Sequence, residues 1–184
     1  MYEMTTTKDW AAVIKEGTAI RDMYPDYVEE HSVYEMLASA YMAKGDKEAA
    51  TAELQRYEKI GGRNPESLKL LAKNLEEAGR GKEAADALNR LNFIYPMDAA
   101  AHRSLGGLLL AQGNSKGAIR EYQAVLARNT QDPAQAHYDL AKAYQANKQI
   151  DQAKEELLSA LEAAPGFRPA QKLLLELSTT AVKN

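Results

Sequence analysis

The sequence has no cysteine. Disulfides and thiolate metal sites are therefore excluded, while the compartment stays open, because a cysteine-free chain can reside anywhere. It has little net charge, −3 over 184 residues, so nothing global favours nucleic acid or an anionic membrane surface. No stretch approaches the roughly 18 apolar residues of a membrane span. The opening "MYEMTTTKDW" lacks the basic start and apolar run of a signal peptide. If the chain is complete, the expectation is a soluble cytoplasmic protein; an excised domain would have lost its address, and its location would be unknown.

Catalytic signatures are also missing. There is no HExxH helix, no phosphate-cradling glycine loop and no G-x-S-x-G. Three histidines remain, His31, His102 and His137, with neither cysteine nor a histidine at i+4 to complete a zinc site. His102 and His137 are expected to pack between helices, and His31, beside Glu29 and Glu30, to be solvated. The adjacent carboxylates Glu29–Glu30, Glu76–Glu77 and Glu155–Glu156 read as solvated helix surface. Trp10 reads as an anchor of the first helix. No catalytic residue, metal site or cofactor is assigned, and the chain is expected not to be an enzyme.

A repeated phrase is present. Aligning on Leu37, Leu71, Leu105 and Leu140 gives spacings of 34, 34 and 35. One residue later stand Ala38, Ala72, Gly106 and Ala141, and four later Tyr41, Leu75, Leu109 and Tyr144. Eight later come Gly45, Gly79, Gly113 and Lys148; thirteen later, Ala50, Ala84, Ala118 and Ala153. Offset 17 holds Leu54, Leu88, Tyr122 and Leu157, and offset 20 holds Tyr57, Leu91, Val125 and Ala160. Two stripes at helical spacing, parted by a glycine, describe a helical hairpin. The small columns fall where two helices cross closely. The extra residue of the third spacing lies in or beside "NTQDP" (129–133), a turn able to absorb it.

This pattern closely resembles the tetratricopeptide repeat. Pro96 and Pro165 fill its terminal proline column, whereas Gly62 and Thr130 stand there in the first and third copies, with prolines displaced to Pro65 and Pro133. The aromatic usual three residues before the leucine is absent from most copies, where Tyr34, Leu68, His102 and His137 stand. The resemblance implies an all-α, right-handed α-solenoid of about ten helices and no strand. It implies one domain, 1–184, with an N-terminal half-repeat or cap helix at 8–25. Repeats then occupy 31–64, 65–98, 99–133 and 134–167, and a capping helix 168–182. In that cap, Leu173, Leu174 and Leu177 should cover the last hairpin while Gln171, Lys172 and Glu176 face water.

The resemblance further implies a concave, peptide-binding face made of first helices, exposed at the −2 and +2 columns among others. These hold Glu35 and Ser39, Lys69 and Lys73, Arg103 and Gly107, then Tyr138 and Lys142. The expectation is that Lys69, Lys73, Arg103, Tyr138, Lys142 and Gln145 contact an acidic or carboxylate-bearing peptide. Glu66, Glu76, Glu77 and Asp139 dilute that charge, and a solvated face with ordinary charges is the plain alternative. The carboxylate clamp known in part of the family is not reproduced: only Lys69 matches, while Lys73, Ser104, Gln135 and Asp139 do not. Starting one repeat earlier, Glu35, Ser39, Leu70, Ala100 and Ser104 match nothing. The function expected is a non-enzymatic scaffold that binds a peptide or partner protein. The alternative is a structural or regulatory segment of a larger multidomain protein whose catalytic domain lies outside this chain. Self-association through an exposed end or face is a third class.

Overall fold

The computed structural model describes residues 9–28, 31–128 and 131–181. Among these residues there are ten α-helices and no strand. They divide into two compact units meeting in sequence at Tyr95 and Pro96. The first unit holds α1 (Trp10–Met23), α2 (Val33–Ala43), α3 (Lys47–Lys59), α4 (Pro65–Glu77) and α5 (Gly81–Ile94). The second holds α6 (Ala99–Ala111), α7 (Ser115–Leu126), α8 (Pro133–Ala146), α9 (Ile150–Ala163) and α10 (Arg168–Ala181). Within each unit every helix packs on the next in sequence.

The hairpin turn is built the same way four times. Gly45, Gly79 and Gly113 take φ of +80°, +74° and +77°, and Lys148 takes +62° in the glycine column. The next amide then reaches back five residues: Asp46 N–H donates to the Tyr41 carbonyl at 2.9 Å and Arg80 N–H to Leu75 at 2.8 Å. Asn114 donates to Leu109 at 2.8 Å and Gln149 to Tyr144 at 2.9 Å. This closes the first helix with a Schellman motif. That same residue is the N-cap of the second helix, and the Asp46 and Asn114 side chains accept from its third amide at 3.0 Å.

The leucine column is the centre of the core. Leu37, Leu71 and Leu105 are wholly buried and Leu140 nearly so, as are the four alanines of offset 13. The departures from the proline column have local causes. Pro65 and Pro133 open α4 and α8 behind the caps Asn64 and Asp132, where a missing N–H costs nothing. Gly62 is required by Tyr57, the large member of offset 20: a Cβ at 62 would stand 2.3 Å from the Tyr57 ring. The Tyr57 hydroxyl in turn accepts from the amides of Arg63 at 3.2 Å and Asn64 at 3.0 Å, holding the chain into α4. Gly106 answers Tyr122 similarly, its Cβ falling 2.8 Å from that ring, while copies with leucine at offset 17 accommodate alanine. The extra residue of the third spacing lies at the start of α8, where Pro133 stands seven residues before Leu140 while Pro65 and Ala99 stand six before Leu71 and Leu105; Thr130 itself lies outside the described residues.

Both flanking helices form. α1 begins at half-buried Trp10 behind the Asp9 cap, and Ile14 and Ile20 pack against Val33, Tyr34, Leu37 and Tyr57. On α10, Leu173 and Leu177 are buried and Leu174 partly so, against Ala153, Leu157 and Ala160. Lys172 and Glu176 stay exposed as expected, whereas exposed Gln171 also donates to the Pro165 carbonyl at 2.8 Å.

Candidate functional site

The site residues expected from sequence fall into both units, and each group stands by itself. In the first unit, Lys69 and Lys73 lie one turn apart on α4. Lys69 Nζ sits 3.3 Å from Glu66 Oε1, and Lys73 Nζ is 4.0 Å from Glu77. Glu77 is claimed more tightly by Lys47, at 2.6 Å, whose hydrogen bond and charge hold its carboxyl below the usual range. The first helices α2 and α4 are bridged by the Ser67 hydroxyl, which donates to Glu35 Oε1 at 2.8 Å. Glu35 also closes the capping box of α2, accepting from the Ser32 amide at 3.0 Å. The carboxylate of the −2 column is thus occupied, and both α4 lysines have an acidic neighbour one turn away.

In the second unit the arrangement is looser. Arg103 on α6 reaches toward α8, its Nε 3.4 Å from Asp139 Oδ2. That is an ion pair without a hydrogen bond, and Arg103 Nε and Nη2 are buried with no hydrogen-bond partner. Asp139 accepts instead from Gln135 Nε2 at 2.8 Å. Burial raises the Asp139 carboxyl, against the lowering effects of Gln135, Arg103 and Lys142. Lys142 Nζ lies 5.7 Å from the centre of the Tyr138 ring, a cation–π distance. Tyr138 meets Phe167 edge to face at 5.5 Å. Of the expected residues, Arg103, Tyr138 and Lys142 therefore cluster, joined by Asp139; Gln145 is half-buried on the same helix. A cavity of about 530 Å³ lies beside Arg103, lined also by Ser104, Val125, Arg128 and Asp132.

The histidines pack between helices as expected, but they draw two carboxylates inward. His102 Nδ1 is 2.7 Å from Glu121, and its Nε2 is 3.0 Å from the Pro96 carbonyl. His137 Nδ1 is 2.7 Å from Glu156. Glu156 is therefore not the solvated surface its neighbourhood in sequence suggested: a half-buried ring opposite has taken it. Glu29 and Glu30 lie outside the described residues. His31 is exposed, as expected. No cluster of metal-ligating groups occurs among the described residues. No helix among them is long and apolar enough to cross a membrane.

Sequence reasoning missed the column at offset 16. It holds Glu53, Ala87, Glu121 and Glu156, and it carries a glutamate in both copies where offset −3 is histidine. Glu53 is 3 % exposed and meets both Arg21 and Arg56 at 2.5 Å. The co-variation of the two columns was a readable signal.

Comparison with known proteins accounts for this architecture. Models described as tetratricopeptide repeat match residues 31–60, 69–136 and 109–177. The chain belongs to the tetratricopeptide repeat family, and its α-solenoid of helical hairpins is the fold of that family. Among solved structures, MamA (residues 41 to the end) of Desulfovibrio magneticus RS-1 is 22% identical, with TM-score 0.68, over 81% of this chain and 84% of that one. YrrB, described as a TPR protein with an unusual peptide-binding site, is 17% identical with TM-score 0.71, over 94% and 87%. The first TPR of Spaghetti (RPAP3), bound to the HSP90 peptide SRMEEVD, is 18% identical with TM-score 0.59, over 64% and 93%. No curated protein matches the chain.

Proposed function

We propose that this protein is a non-catalytic interaction module that docks a peptide segment of a partner protein on its first helices, residues 1–184 acting as one array. Lys69 and Lys73 serve in the first unit, and Arg103, Tyr138, Lys142 and Gln145 in the second. The observation that carries the reading is the surface of α8 and its neighbour α6, where an aromatic ring, a lysine over that ring and an incompletely bonded arginine stand together. Tyrosine and arginine are the residue types that anchor interfaces, because each brings large contact area with few freely rotating bonds per contact. A partly acidic peptide fits the cations. Two similar folds bind peptides by their own descriptions, and this supports the class of ligand, not its sequence.

The test captures proteins from the source cell with the wild-type domain and with a variant carrying Lys69→Ala, Lys73→Ala, Lys142→Ala and Arg103→Gln. Mass spectrometry should find a partner retained by the first and lost by the second, with helical circular dichroism unchanged. Identical captures from both would refute the assignment of these residues.

A further inference from the structure

Two buried positions of the first unit break the apolar columns they belong to. Offset 3 holds Ala40, Leu108 and Ala143, all buried, but Asn74 in the second copy. Offset 14 holds Ala85 and Ile119, both buried, and half-buried Lys154, but Thr51 in the first copy. Asn74 and Thr51 are only 4 % and 5 % exposed. A polar group in an apolar place costs stability unless its hydrogen bonds are met, and such departures concentrate at functional sites. Both residues line one cavity of about 430 Å³.

The cavity lies between the first turn of α3 and the last turn of α4, at the bends of the first two hairpins. Neither Lys69 nor Lys73 lines it. Buried Thr51 and Asn74 form its floor, and exposed Lys47, Glu48, Glu77 and Arg80 its rim. Asn74 Nδ2 donates to the Met42 thioether at 3.6 Å. A thioether can only accept, so that contact turns the amide oxygen away from Met42. No group among the described residues bonds this oxygen, and it keeps access to solvent. The Thr51 hydroxyl spends its one hydrogen on the Lys47 carbonyl at 2.7 Å, which leaves only lone pairs. The floor is thus neutral and offers acceptors. The rim carries two charges of each sign, with Lys47 paired to Glu77 at 2.6 Å and Arg80 to Glu83 at 2.6 Å. In the second unit the same columns hold Ile119 and Ala143, and the Ser115 hydroxyl ties the two bends by donating to Asn147 at 3.0 Å.

We infer that this cavity is a binding site for a neutral primary carboxamide. Its NH2 group donates to Asn74 Oδ1 and Thr51 Oγ1, while its carbonyl accepts from Lys47 or Arg80 at the rim. Two acceptors with no charge behind them suit a neutral nitrogen that carries two hydrogens. An ammonium group would be buried there without a counter-charge, and a carboxylate would face acceptors it cannot bond. The carboxamide comes from a glutamine or asparagine side chain of a protein segment or from the free amino acid, and the two are separable. The site is distinct from the docking surface on the first helices and does not depend on it.

The test follows the backbone amide signals of the isotope-labelled intact chain by NMR during titration. The probes are free L-glutamine and L-glutamate, and the peptides Ac-Gly-Gln-Gly and Ac-Gly-Glu-Gly with N-methylamide ends, which leave the side chain as the sole primary carboxamide. Glutamine in one form or the other should shift the Thr51 and Asn74 signals saturably. Tighter binding of the free amino acid assigns a small molecule, and of the peptide a protein side chain. The glutamate counterparts, equal in size, should bind about tenfold more weakly or worse, because they leave the floor acceptors unanswered. Asn74→Leu copies the residue of the third repeat, so it should abolish the shifts while the melting temperature holds or rises. Thr51→Val should weaken binding about three- to tenfold, the scale of one hydrogen bond.

Glutamine and glutamate moving the signals alike would overturn the site. So would undiminished binding by both variants, or no saturable shift from any probe, which would leave the cavity to water. None of these results bears on a peptide captured by the first helices.

Discussion

The two units solve the same structural problem differently at matching positions. In the first, offset −3 is aromatic or aliphatic: the Tyr34 hydroxyl donates to the Pro25 carbonyl at 2.6 Å, and Leu68 is wholly buried. The nearby Glu53 turns to two arginines. In the second, histidine occupies the position in both repeats and pairs with a glutamate 19 residues on. The proline carbonyl is retained as an acceptor, by Tyr34 in one unit and by His102 in the other. The lesson is that this column takes a side chain that fills the space between helices, as Leu68 does by burial alone, and in Tyr34 and His102 also bonds a turn. Aromatic character is one way to meet that demand, and an imidazole backed by a carboxylate is another.

The largest expected effect comes from breaking the polar cluster of the first unit. Glu53→Ala should cost about 2–3 kcal/mol, less than a fully buried pair because Arg56 is half exposed. Glu121→Ala in the second unit should cost about 1–2 kcal/mol, the scale of one charge-assisted bond. Urea unfolding followed by amide exchange would assign each loss to its own unit. Equal effects would deny the distinction drawn between them.

Next in size is the pairing of ring and glycine. Gly106→Ala should lose about 1–3 kcal/mol against the Tyr122 ring. Adding Tyr122→Leu should restore most of it, reproducing the alanine–leucine pairing of the other copies. A double-mutant cycle showing simple additivity would refute the steric account.

Acid sharpens the contrast further. The raised Asp139 carboxyl means that its effect on stability is absent below the ordinary value of 3.8 and grows as pH climbs from there through the raised value. Its presence should weaken the second unit across that window, and Asp139→Asn should flatten the curve. In the first unit, Glu77 and Glu83, lowered by Lys47 and Arg80, act oppositely: their contributions are lost as pH falls through their depressed values. Glu58, raised by burial, follows Asp139. Exchange-resolved stability between about pH 3 and 7 would separate these trends; a variant indistinguishable from wild type there would remove Asp139 from the account.

The smallest effect expected is a gain. Lys148 holds φ of +62° where the other repeats place glycine. Lys148→Gly should stabilise the second unit by up to about 1 kcal/mol, offset in part by greater freedom when unfolded. A measured loss would mean that the lysine side chain does something the backbone does not show.

The hairpins were legible because their causes are local. A leucine stripe, a left-handed glycine and an alanine crossing lie within 14 residues of one another, and each fails visibly if misplaced. The pairings that define the second unit were not read, because they join residues 19 or 36 apart. His102 and Glu121 look like an isolated ring and a surface acid until two helices bring them together. Asp139 was read as dilution of the basic columns, yet it lies 3.4 Å from Arg103 and joins the cluster.

The hairpin turn carries a consequence for how such a chain can change length. Because the residue that closes one helix also opens its partner, there is no slack between them to absorb an added amino acid. A single insertion after Gly79, for example, would force a choice between ending α4 properly and starting α5 properly. The junction between α7 and α8 has no such shared duty, Ala127 closing one helix and Asp132 capping the next, and this sequence carries its surplus residue beside it, in the first turn of α8. Growth and trimming in proteins built this way are thereby steered to the seams between hairpins, leaving the bends within them at fixed length.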